Sequence, residues 1–166
     1  LLCGTQMPEP LLYGGTGSES ASPHLPDAPP ERFESGTLNI AGICGLREGI
    51  RYVAEHRAAI QANESALAVW LKTRMAAIDG VTVYGEPQMP CGLFSFNADG
   101  WDSETLAAAL AAQNIAVRAG LHCAPLAHRS VGTEAQGTVR VSFGWASRQA
   151  EAERFAQVLE KILRSK

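Results

Sequence analysis

TVRVSF, residues 138–143, alternates polar and apolar side chains without a break. Neighbouring residues of a strand point to opposite faces, so Val139, Val141 and Phe143 share one face while Thr138, Arg140 and Ser142 share the other. Ser147 follows as an N-cap for a last helix, whose Phe155, Val158, Leu159 and Ile162 form one apolar stripe. Upstream, IAVR (115–118) reads as a short strand. Asp102 is suited to cap a helix through Leu106 and Leu110, because its carboxylate accepts from the orphan N–H groups of a first turn. VTVY (81–84) and LFSF (93–96) read as two more strands. From about Arg57 onward the order is helix, two strands, helix, strand, loop, strand, helix. That order describes an α+β fold, helices layered on a small, mostly antiparallel sheet.

Toward the N-terminus the period changes. Ile43, Leu46, Ile50 and Val53 recur at three and four, and Ile60, Leu67, Leu71, Met75 and Ile78 continue the spacing. This predicts a helix followed by a second helix or a bent extension, ending near Asp79-Gly80. Gly42, Gly45 and Gly49 form a stripe of their own. Glycine in a helix interior costs about 1 kcal/mol against alanine, so three on one face point to another backbone packed very close. Residues 1–39 hold most of the 9 prolines and almost no apolar periodicity. A structureless stretch of that length in a compact domain is functional or separated from its context.

Composition narrows the function classes. At 166 residues, 46% hydrophobic and 19% charged, the chain suits one ordinary core, or one domain with part of another. A net charge of -3 without a Lys/Arg run offers no footprint for nucleic acid or an anionic membrane. No apolar run approaches the roughly 18 residues of a membrane span, and LLCGTQMPEP lacks the charged start and apolar core of a secretory signal. A cytoplasmic location is expected. Cys3, Cys44, Cys91 and Cys123 are scattered and form no C-x-x-C pair, so neither a disulfide framework nor a metal site is expected.

The chemistry-bearing residues concentrate in RAGLHCAPLAHRS (118–130). Cys123 is either a small buried hydrophobe, the usual role of a lone cysteine, or a nucleophile. The second reading draws on His122 and Arg118, since nearby positive charge lowers a thiol pKa. His122 and His128 are either satisfied histidines or partners of that thiol. Arg140 either makes a structural salt bridge or presents a fork to a substrate carboxylate through paired N–H···O bonds, and Arg118 repeats the arrangement. YGGTGS (13–18) is a turn or a phosphate cradle of backbone N–H groups. FESGTLN (33–39) says nothing by itself.

In order, PLLYGGTGS, RFESGTLNIAGICGLREGI, VRAGLHCAPLAH and GTVRVSFGWAS span nearly the whole chain. Together they resemble the C-terminal part of class V aminotransferase-fold enzymes, in particular the cysteine desulfurase and selenocysteine lyase branch. The resemblance implies the small C-terminal domain of a fold-type I pyridoxal 5'-phosphate (PLP) enzyme. Residues 1–56 would be the end of the large domain and the interdomain helix, and 57–166 the small domain. It implies that Cys123 accepts sulfur from L-cysteine, or selenium chemistry from selenocysteine, as a persulfide, leaving alanine, with His122 beside it. Arg140 matches the arginine that holds the amino-acid carboxylate, and Arg118 a second arginine near the substrate. Thr37, with Gly36, matches the threonine that reaches the cofactor phosphate of the neighbouring subunit of a homodimer, and Asn39 shapes the same site. A sulfur-acceptor protein is a possible further partner.

Two departures bear on this reading. The family holds PLP through a lysine in a serine- and histidine-rich segment, and Lys72, Lys161 and Lys166 do not match it. All three are expected at solvated positions, so the chain by itself is expected to be inactive and to bind no PLP covalently. GWAS stands where relatives have an aromatic residue and an Asn-Thr pair. The alternatives are a class V aminotransferase for another substrate, in which Cys123 is incidental, and a stand-alone dimerisation or thiol module.

Overall fold

The structure, a computed structural model, describes residues 7–19, 21–85 and 92–165. Cys3, Cys91 and Lys166 lie outside the described residues. The chain forms two compact units, Leu1–Tyr52 and Val53–Lys166.

In the first unit the backbone is irregular apart from a turn of 3₁₀ helix at Glu31–Phe33 and the start of α1. Its two glycine-rich motifs meet: the Gly36 N–H donates to the Gly15 carbonyl at 2.8 Å, and a Cβ on Gly14 would stand 3.2 Å from Ser35 Cβ. Arg32 ties the segment together through Glu9 at 3.1 Å and Asp27 at 3.3 Å.

Helix α1 runs unbroken over Ile40–Ala76, so the two stretches form one continuous helix rather than two. No proline interrupts these residues, and glycines spaced by two or three residues weaken a helix without ending it. Asn39 starts it, its Oδ1 accepting from the Gly42 N–H at 2.9 Å. That cap explains Gly42, where a Cβ would stand 2.5 Å from Asn39 Nδ2. At Gly45 and Gly49 nothing among the described residues lies within 4 Å of a Cβ position, so they do not supply the close backbone expected there.

The second unit matches the sequence-based order. Strands β1 (Val81–Tyr84), β2 (Leu93–Ala98), β3 (Arg118–Gly120) and β4 (Thr138–Ser142) form one antiparallel sheet in the order β1-β2-β4-β3. Helices α2 (Ser103–Ala111) and α4 (Gln149–Arg164) and the second half of α1 supply the other layer. Phe94, Phe96, Val139 and Val141 face Leu71, Met75, Leu106, Leu110, Phe155 and Leu159 in a single core. Phe96 meets Phe155 edge to face, with ring centroids 6.0 Å apart. A fully buried phenylalanine of this kind contributes roughly 1.5–3 kcal/mol by area alone.

Four local expectations change. The strand read at 115–118 begins where that reading ended, at Arg118, while Ile115 and Val117 pack on the core from an irregular segment. A short helix, α3 (Pro125–Ser130), occupies the connection read as loop, with Pro125 at its first position where no N–H is needed. Ser147 does not cap α4. Its Oγ accepts from the Gly144 N–H, and Glu151 reaches back to the Arg148 N–H at 2.8 Å. Lys72 is buried at 3% exposure rather than solvated, since it falls on the face of α1 that also buries Ala68, Leu71 and Met75, where a four-carbon stem can pack. Asp102 caps α2 as expected, accepting from the N–H groups of Glu104 and Thr105.

Ile43, Leu46, Ile50 and Val53 stay 51–64% exposed along α1. An uncovered apolar face drives association, so the isolated chain should self-associate through it in sedimentation velocity. A strictly monomeric chain with strong amide protection over residues 40–53 would contradict this.

Candidate active site

The alternation that buries Val139 and Val141 lifts Thr138 and Arg140 to the opposite face of the sheet. Register makes that face a continuous row. Tyr84 pairs with Ser95, Ser95 with Arg140, and Arg140 with Arg118, so these four side chains lie abreast across all four strands. Thr138 stands on the same face two residues before Arg140, opposite Gly120. Close approach of β3 and β4 at this end depends on glycine. Gly137 has φ +64°, and a Cβ on it would stand 2.8 Å from the Gly120 backbone.

Two arginines directly opposite each other repel. Among the described residues neither Arg140 nor Arg118 pairs with a carboxylate, and Arg140 Nε is buried without a hydrogen-bond partner. The structural salt bridge considered for Arg140 is therefore absent among the described residues. What remains is a partly covered pair of cations suited to an anion.

Above this row sits a tight turn. The Ala124 N–H donates to the Leu121 carbonyl at 2.9 Å, and the two central residues, His122 and Cys123, have φ of +52° and +57°. Positive φ at both central positions is the type I′ pattern, which favours Gly, Asn or Asp; other residues held there cost of order 1–3 kcal/mol each. The strain falls on the two residues singled out by the sequence. Cys123 is an exposed free thiol, so it is not a buried hydrophobe.

His122 is turned to the sheet. Its Nε2 lies 3.2 Å from Thr138 Oγ1, its Nδ1 is buried without a partner, and no hydrogen bond joins it to the Cys123 sulfur. Burial, then the positive charge of Arg140, hold its pKa below the usual 6.5, with His128 and Arg118 adding to the effect. The ring is therefore neutral at pH 7. Because the unfolded chain takes up this proton more readily, the fold loses stability as pH falls through about 6.5. His128, on α3, is buried, with its ring centroid 5.7 Å from that of His122 and its Nδ1 2.7 Å from Thr133 Oγ1.

The remaining candidates lie in the first unit. Thr37 and Gly36 are exposed, with φ +80° at Gly36, and the Gly36 N–H is already given to Gly15. Asn39 is engaged as the cap of α1. The structure thus brings together Arg118, His122, Cys123 and Arg140 in one unit, and Gly36, Thr37 and the YGGTGS loop in the other. Thr138, Thr133, Ser95 and Tyr84 were not singled out from sequence. Strand alternation marked Thr138 as a same-face neighbour of Arg140, but no sequence signal gave the cross-strand register.

The model of the family "Aminotransferase class-V" matches residues 3–155. The chain belongs to the class V aminotransferase family. Within that family it is similar to proteins named probable cysteine desulfurases. It is 41% identical over 150 residues to one from Pseudomonas aeruginosa, covering 89% of this chain and 35% of that protein. With one from Methanothermobacter thermautotrophicus it shares 34% identity over 172 residues, covering 98% of this chain and 42% of that protein. The apo structure of a cysteine desulfurase from Thermococcus onnurineus NA1 superposes with a TM-score of 0.79 at 34% identity, over 95% of this chain and 40% of that one. The chain thus spans well under half the length of these relatives, and its fold is that of a part of a fold-type I enzyme.

Relief of the turn strain gives a test. Cys123→Gly should stabilise the protein, because the left-handed penalty of roughly 1–2 kcal/mol outweighs the extra unfolded-state entropy of glycine, about 0.4–1 kcal/mol. Urea denaturation should show a net gain of the order of 0.5–1 kcal/mol. A loss of stability would mean that the turn is unstrained.

Proposed function

We propose that this chain is the C-terminal part of a PLP-dependent cysteine desulfurase, in which Cys123 accepts sulfur from L-cysteine and alanine is released. One observation carries this reading. A strained turn exposes a thiol next in the chain to His122, whose ring feels the charge of two cross-strand arginines that have no carboxylate among the described residues. The likeness to desulfurases supports it.

In this reading Arg140 grips the substrate carboxylate and Arg118 adds a second positive charge. A fixed guanidinium beside a carboxylate gives charge-assisted, paired hydrogen bonds. The residues present fit the edge of the cofactor. The Thr37 hydroxyl, which makes no hydrogen bond among the described residues, has the chemistry to meet a phosphate, and Gly36 and the glycine-rich loop beside it leave room for one. PLP, when bound, supplies the electron sink that makes the Cβ–S bond of the substrate breakable. The Cys123 thiolate then bonds to the substrate sulfur. The electron pair of the broken C–S bond stays on carbon, which takes a proton to give alanine, and Cys123 is left as a persulfide. His122, neutral and next in the chain to the thiol, serves as a proton acceptor through Nδ1, the ring nitrogen that has no hydrogen-bond partner.

Lys72 is buried in α1, and Lys161 lies on α4. Neither position suits a cofactor linkage, and none of the three lysines, Lys166 included, stands in a serine- and histidine-rich segment, so the chain alone is inactive in this account and the amine comes from elsewhere in the protein. Selenocysteine would undergo the same bond changes. The complete protein acts as a cytoplasmic homodimer, with Thr37 of one subunit facing the cofactor of the other, and passes its sulfur to an acceptor protein.

Kinetics of the full-length protein separate the roles. Cys123→Ala should bring kcat for cysteine desulfuration close to zero with little change in KM. Arg140→Ala should raise KM, since a hydrogen bond to a charged group is worth about 1.5–3 kcal/mol. Undiminished cysteine turnover by Cys123→Ala would make that residue incidental and move the reading to an aminotransferase of other substrate.

A further inference from the structure

His128 is a buried titratable residue that the chemistry above does not use. Its hydrogen bonds close a circuit. Its backbone N–H donates to the carbonyl of Ala124, the residue that follows Cys123, at 3.2 Å. Its own carbonyl accepts from the Thr133 N–H at 2.9 Å, and its Nδ1 meets Thr133 Oγ1 at 2.7 Å. The Thr133 carbonyl accepts from the Gly137 N–H at 2.8 Å, which leads directly into Thr138. Thr138 holds His122 Nε2, and the His122 ring lies against that of His128. The circuit therefore runs from Ala124 through His128, Thr133 and Gly137–Thr138 to His122 and back to Cys123.

Within this circuit Thr133, Gly137, Thr138 and His128 are buried, whereas Cys123 is exposed. Two further bonds brace the far side. Ser103 Oγ donates to the Gln136 carbonyl at 2.6 Å, and Asn97 Nδ2 donates to the Gly137 carbonyl at 3.1 Å. A six-residue helix has little stability of its own, so α3 depends on such anchors to keep its place. The strained turn in front of it has the same need, because nothing in its own backbone preference favours left-handed His and Cys.

We propose that His128, locked by Thr133, is a positioning residue that holds the His122–Cys123 turn against β4 and so fixes where the thiol stands. The proposal rests on Cys123 being the sulfur acceptor. Its test does not.

In the full-length, PLP-loaded protein, Thr133→Val removes the side-chain bond to His128 while keeping shape, and Thr133→Ser keeps the hydroxyl. Two readouts need no substrate: the exchange rate of the Ala124 amide, which closes the turn, and the NMR titration of the His122 ring. With Thr133→Val the amide should exchange at least about tenfold faster, as local opening becomes easier. The His122 inflection should move up toward its ordinary value, because a ring released from the sheet regains water while Arg140, Arg118 and His128 face it less closely. Thr133→Ser should restore both. If Thr133→Val does not fold, His128→Phe keeps the paired rings, loses the bond to Thr133, and is read in the same way. In a folded variant, an unchanged value of either readout overturns the proposal, whatever happens to the melting temperature. If both readouts move in the variant while the unmutated protein, given L-cysteine, places no sulfur on Cys123, the desulfurase reading is refuted and His128 remains the residue that holds the turn.

Discussion

Strand β4 lies between β2 and β3 and cannot bury Val139 and Val141 without raising Thr138 and Arg140 on the other face. The rest of the unit follows from that alternation. The buried face collects α2, α4 and the end of α1 into one core. The raised face receives Arg118 from β3 and Ser95 from β2 in register, and Thr138 offers the hydroxyl on which His122 rests. A one-residue slip of β4 would exchange the faces and lose core and site together.

Unfavourable terms gather at one place. Two like charges stand side by side, a turn holds two non-glycine residues in left-handed conformations, and polar atoms of His122 and Arg140 are buried without partners. Each costs stability, and the well-packed face beneath offsets them. In the proposed reading an amino-acid carboxylate would offset part of this cost by neutralising the repulsion between the arginines.

Most of the second unit was legible in the sequence because strand alternation and helical spacing are strong local signals. The two hairpin strands, the Asp102 cap and the face of Arg140 all follow from them. The misreadings share a cause, in that tertiary placement overrode a local preference. Ile115 and Val117 look like a strand but are held by the core outside the sheet, and Ser147 has the right chemistry for a cap while Glu151 takes the position. Lys72 carries a charge yet lies where its stem packs. α3 is too short to leave a periodic pattern. Motif order singled out Cys123, Arg118 and Arg140 as candidates, but the left-handed turn and the circuit through Thr133 were not legible. Both depend on contacts between segments that no spacing encodes.

The account stands on Cys123 as the atom that takes sulfur. The most direct measurement treats the full-length, PLP-loaded protein with L-cysteine carrying an isotopically marked sulfur, blocks the thiols and maps the peptides by mass spectrometry. The account predicts one marked sulfur atom on the peptide containing Cys123, and none on that peptide in an Arg140→Ala protein at low substrate concentration. Alanine formed at full rate with no marked sulfur on Cys123 would contradict it.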